Sequence, residues 1–135
     1  MSEYPNGVDA EDFEGVLSAY NAYMSAFATE DYLAMAEQLV FSSTKIKWKT
    51  ALDVVDNFSF IRTHILPNYS HSEIKDVSFI APEVGGGYIL FLTRNDVSID
   101  GTSLRIGFAI YGFRREEGVW KISSISNMPK LVSPF

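Results

Sequence analysis

The sequence contains no cysteine and only two histidines. Disulfides and thiolate metal sites are thereby excluded, and a histidine-rich metal centre lacks its ligands. There is no run of ~18 apolar residues, the length a helix needs to cross a bilayer, so no membrane span is expected. The segment MSEYPNGVDAEDFEG has no basic stretch followed by an apolar one, the pattern of a secretory signal. A soluble, cytoplasmic protein is expected. Positive charge is scarce: 11 Lys and Arg stand against 17 Asp and Glu, a net charge of −6. That balance repels the phosphates of nucleic acid. Signatures of nucleophiles and cofactors are missing too: there is no GxSxG, no GxGxxG, no phosphate-binding loop and no HExxH. No cofactor is expected. The glycines of EVGGGY (83–88) lie between strand patterns, and no helix follows to cradle a phosphate.

What is present is globular. Hydrophobic residues make up 47% and charged residues 21% of 135 residues, enough for a single domain (1–135) with a core that needs no staple. Asp9 reads as an N-cap, with Asp12 three residues on as a capping-box variant. Phe13, Val16, Leu17, Tyr20, Met24 and Phe27 then fall on one helical stripe. ATED interrupts the pattern, and Thr29 or Asp31 caps a second helix whose buried face is Tyr32, Leu33, Ala36, Leu39 and Val40. STKIKWKT (43–50) alternates as a short strand, with the lysines on one solvated face. Thr50 caps a third helix with Asp53 at the third position, and its stripe is Val54, Val55, Phe58, Ile61 and Ile65. Pro67 ends it.

From Ser70 the period becomes two. SEIKDVSFIAPEV (72–84), GYILFLTRNDVSI (87–99), TSLRIGFAIYGFRRE (102–116) and GVWKISSISNM (118–128) read as four strands. Each connection contains Gly, and Asp100-Gly101 is a strong hairpin signal. Short connections make the strands antiparallel neighbours. Helices first and strands after give an α+β domain with helices on one face of the sheet. The tail PKLVSPF is apolar enough to be expected to pack on something. Leu104, Ile106, Phe108 and Ile110 lie on one side of the third strand. Gly107, Ala109, Tyr111 and Phe113 lie on the other, with Arg105 at the end. A sheet with one wet face would alternate apolar and polar residues, so both faces are expected to be covered. Helices would cover one, and a second copy of the chain the other.

The order helix, helix, short strand, helix, long hairpins resembles the nuclear-transport-factor-2-like (SnoaL-like) superfamily. The resemblance rests on AYNAYMSAFATEDYLAMAEQL (19–39), the third helix closed by LPN (66–68), and GVWKISSISNM (118–128), and it covers residues 9 to 128. It implies a cystatin-like cone, three N-terminal helices packed on a curved, mostly antiparallel sheet. The concave face would line a pocket and the outer face would form a homodimer.

The resemblance also implies site residues. A first-helix tyrosine pointing its hydroxyl into the pocket would be Tyr20, and a late polar residue on the last strand would be Asn127. Gly107 and Ala109 leave room for a ligand, so their side, with Tyr111, is expected to face the cavity; Trp48 would close a wall. A histidine side chain can take up and release a proton near neutral pH, so His64 is a candidate general base. It lies one residue off the apolar stripe, however, aligned with Asp53, Asn57 and Phe60. Members resembling ketosteroid isomerase carry Asp on the strand after helix two and on a central strand. Here FSSTKIKWK (41–49) and LRIGFAIYG (104–112) contain neither Asp nor Glu, which argues against that mechanism. Scytalone-dehydratase-like chemistry needs paired histidines and tyrosines, and only His64 is placed for it. Three functions stay open: a binder of a small apolar molecule, a lyase, isomerase or cyclase working by acid/base catalysis in the same pocket, and an interaction module without a cavity.

Overall fold

The computed structural model of the chain describes residues 8–83 and 86–131, apart from the side chains at 78, 79 and 127–131. Three helices come first: α1 (Ala10–Ala28), α2 (Tyr32–Glu37) and α3 (Ala51–Phe60). A π-helical turn, Ile61–Ile65, extends α3 and is followed by β1 (Tyr69–Pro82), β2 (Tyr88–Ser98), β3 (Ser103–Glu116) and β4 (Val119–Leu131). The second histidine, His71, lies within β1.

Local chemistry sets the helix starts. The Asp9 carboxylate accepts the Glu11 N–H at 2.9 Å, and Asp31 accepts the Ala34 N–H at 3.2 Å. Thr50 and Asp53 form a reciprocal capping box. Asp12 departs from the expected capping role. Its carboxylate accepts the Tyr88 hydroxyl at 2.7 Å and Arg115 at 2.8 Å, tying the first turn of α1 to β2 and β3. The last turn of α1 contains no basic residue. Arg62 supplies the charge from the π-turn, donating to the carbonyls of Phe27 (2.6 Å) and Ala28 (3.2 Å). A cation there satisfies otherwise orphaned carbonyls and complements the helix dipole.

The sheet is an antiparallel meander in the order β1-β2-β3-β4. Register shifts interrupt β1 three times, and one falls at Gly112/Phe113 between β3 and β4. Such bulges bend a strand and increase its twist, which curls the sheet. None falls at Gly107, so the inward row of β3 keeps its parity from Arg105 to Tyr111. α1 lies in the hollow: Tyr20 meets Tyr111 edge to face with ring centroids 5.1 Å apart. Val16, Tyr20, Tyr23 and Phe27 of α1 join Leu90, Leu92, Tyr111, Phe113 and Ile122 of the sheet in one core. Gly15, inside α1, leaves a notch for Trp120 of β4; a Cβ there would sit 2.5 Å from the indole ring.

Three sequence expectations need correction. Residues 43–50 do not form a strand. Ser43 turns the chain there: its hydroxyl accepts the Lys45 N–H, and its carbonyl accepts the Ile46 N–H. Such local bonds compete with a ladder. The alternation survives as burial, with Ile46 buried and the flanking lysines exposed. The edge of β4 is met instead by an isolated parallel bridge from Leu39 to Ile122. In α2, Leu33 is exposed and Met35 enters the core, because the short helix presents its Met35–Ala36 side to the cone. Ile65 is about half exposed, since the chain leaves α-helical geometry at Ile61. The last residues of PKLVSPF, 132–135, lie outside the described residues.

No described helix is long and apolar enough to cross a membrane.

Candidate functional site

The inward side of α1, the 45–48 segment, α3 and the concave face of the sheet enclose a cavity of about 310 Å³. Met24, Phe27, Met35, Trp48, Phe58 and Ile125 form the apolar part of its wall, and Lys45, Lys47, Asn57, Arg94 and Arg105 the polar part. Trp48 and Phe58 hold each other at 5.2 Å between ring centroids, and Tyr23 meets Phe58 at 6.1 Å.

A network of six polar side chains runs beside this apolar space. Arg94 and Asp96 stand two apart on β2, so they share the face of Leu90 and Leu92. Asp96 is paired in register with Arg105 of β3. Asp96, 1% exposed, forms an ion pair with Arg94 at 3.2 Å, and its carboxylate accepts the Ser72 hydroxyl at 2.5 Å and Arg105 Nε. The Tyr69 and Ser72 hydroxyls lie 2.6 Å apart and extend the network. Arg94 Nη1 donates to the Tyr111 hydroxyl oxygen at 3.2 Å and reaches Met24 Sδ at 3.7 Å. Tyr111 thus accepts from Arg94 and keeps its own proton to donate.

Burial is the leading influence on the buried tyrosines Tyr20, Tyr23 and Tyr69. It raises the pKa of Tyr20, Tyr111 adds to the rise, and the nearby Arg94 guanidinium opposes it. That guanidinium lies close enough to act on the Tyr20 charge without forming an aligned hydrogen bond, for the hydroxyl has no partner among the described residues. Tyr23 is raised for the same leading reason. Burial pushes Tyr69 up to about 12, against a lowering hydrogen bond from Ser72. Burial also works against the charge on Arg94, but Tyr111 and Asp96 more than offset it and the pKa is raised.

A raised folded pKa stabilises fully below the unfolded value of about 10 and is lost as pH climbs through the folded value. Stability should therefore hold to about pH 10 and fall as pH rises towards 12. Tyrosinate absorbance should show Tyr20, Tyr23 and Tyr69 ionising together with unfolding, not in a separate step near pH 10.

Of the residues expected at the site, Trp48 and Tyr111 line the cavity. Tyr20 does not; it is buried behind Tyr111, edge-on to its ring. The backbone of Asn127 pairs with Ala109, and its side chain lies outside the described residues. His64 is exposed and stacks at 4.7 Å on Phe60, one helical turn back, away from the cavity. Sequence reasoning missed Arg94, Asp96 and Arg105. Their parity with Leu92 and with Ala109 and Tyr111 was the available signal.

A protein of unknown function with a cystatin-like fold from Nostoc punctiforme aligns with a TM-score of 0.73 at 12% identity, over 94% of this chain and 97% of its own. The chain has the cystatin-like fold. An NTF2-like family protein from Streptomyces avermitilis shares this cystatin-like fold, with a TM-score of 0.59 at 18% identity over 90% and 98% of the two chains. A hexachlorocyclohexane dehydrochlorinase shares it too, with a TM-score of 0.55 at 13% identity over 93% and 91%. No protein-family model matches the sequence, and no curated protein matches it. At these identities the likeness is one of fold, and the cystatin-like fold carries many functions.

Proposed function

We propose that the cone binds a small, largely apolar molecule, with Trp48 and Tyr111 on its walls, Tyr20 supporting Tyr111 from behind, and Asn127 on the last strand. The carrying observation is the cavity itself: about 310 Å³, aromatic-walled, at the lower bound of ligand pockets. An interaction module would fill this space with side chains. Trp48→Ala removes one wall, and ligands found by a thermal-shift screen of small aromatics should bind it about tenfold more weakly by calorimetry. Unchanged affinity would place the ligand elsewhere.

An acid/base enzyme is the second reading. Tyr111, whose oxygen accepts from Arg94, favours it as a proton donor. The dehydrochlorinase shows that the fold hosts enzymes. Weighing against it, the described cavity lining includes no His, Asp or Glu to act as a base, and Asp96 is committed to two arginines. Binding is therefore preferred.

The outer face of the sheet supports a homodimer. Phe91 and Phe108 stack there at 5.3 Å, and Ile106 and Phe108 are 42% and 49% exposed. Light scattering at micromolar concentration should give a dimer mass for the native chain and a monomer mass for Ile106→Glu. A native monomer would remove the proposal.

A further inference from the structure

The cavity's charge runs against that of the protein. The chain is acidic, with a net charge of −6. Yet the described lining includes Lys45, Lys47, Arg94 and Arg105 and no carboxylate. The two arginines lie at the buried end, their side chains 7% and 18% exposed. They share one counter-ion, Asp96, so the trio carries a surplus of one positive charge. Arg105 gives Nε to Asp96, and no other hydrogen bond from its guanidinium is found among the described residues. Lys45 sits in solvent and pairs with Glu83 at 3.5 Å. Lys47 lies over the Trp48 ring at 5.2 Å, with no carboxylate partner among the described residues.

A buried charge calls for a counter-charge, since water cannot solvate it fully. We propose that the ligand is an amphipathic monoanion, an organic carboxylate whose apolar body fills the aromatic space and whose head group meets Arg94 and Arg105. Several features favour that head group. A planar guanidinium matches a carboxylate in geometry and charge. A surplus of one charge suits a monoanion better than a phosphate monoester, which carries nearly two negative charges at neutral pH. Lys47 at the solvent edge, with the field of the arginines behind it, draws an anion towards a protein that otherwise repels it. The Tyr111 proton, not engaged by Arg94, is a further donor. The inference rests on the reading that the cavity binds a small molecule and adds the charge and polarity of that molecule.

Matched ligands test it on the native protein. Hydrocinnamate, 4-phenylbutyrate and octanoate are titrated calorimetrically at pH 7, each beside its primary amide. The carboxylates should bind at least tenfold more tightly than their amides. Arg105→Gln leaves Asp96 paired with Arg94 and Ser72 but removes the surplus charge. In that variant, with its fold checked by circular dichroism, the ratio of carboxylate to amide affinity should fall to within about twofold. Amides binding as tightly as carboxylates to the native chain would overturn the proposal and leave the cavity reading standing. Absence of binding by both series at millimolar concentration would overturn both. The native comparison decides the matter even where the variant does not fold.

Discussion

Asp96→Ala is expected to lower folding stability by about 3–5 kcal/mol, the range for breaking a buried ion pair by removing one partner. The side chain is almost inaccessible, pairs with both Arg94 and Arg105, and accepts the Ser72 hydroxyl. Its loss leaves two guanidiniums facing each other inside the cone and a hydroxyl without its acceptor. Urea denaturation would measure the effect, with Asp96→Asn falling between the variants because the amide keeps an oxygen but not the charge. A loss below about 1 kcal/mol for Asp96→Ala would mean that water reaches the arginines freely, since exposed pairs contribute no more than that.

The second large effect separates the two faces of one strand. Phe113→Ala is expected to cost about 3–5 kcal/mol, as for a large aromatic removed from a closed core. Phe113 is fully buried on the concave side. Phe108, five residues earlier, points outward and is 49% exposed. Phe108→Ala should change monomer stability by no more than about 0.5 kcal/mol, the range for surface sites. Chemical denaturation of both variants, at a concentration low enough to hold them as monomers, reads the difference. Equal costs would contradict a sheet wrapped around α1.

The parts of this fold that were legible in sequence are those in which one periodicity runs unopposed. The stripe from Phe13 to Phe27 has helical spacing, and Asp9, Asp31 and Thr50 cap where capping chemistry places them. The four strands declare themselves by alternation and glycine turns, including Gly101 at φ +89°. Residues 43–50 show where such reasoning fails: alternation reports which side chains are buried, not whether the backbone finds a ladder partner. The site failed for a different reason. Arg94 and Asp96 stand near the end of a strand, where an isolated charge usually faces solvent, so neither was picked out as a site residue. Only the pairing of β2 with β3 brings Arg105 opposite Asp96 and makes their burial tolerable. Parity within each strand puts these charges on the concave face, but what they pair with is a tertiary fact. His64 shows the converse: a chemically suitable residue on the wrong side of its helix.

The notch at Gly15 has a practical consequence. It seats Trp120 on the outer end of α1, among Tyr88 and Arg115, while the chain's other tryptophan, Trp48, stands on the cavity wall. The two indoles therefore divide between a constant background and a sensor. Intrinsic fluorescence should change when the cone fills, the change should vanish in Trp48→Phe, and Trp120 should supply an internal reference in the same cuvette.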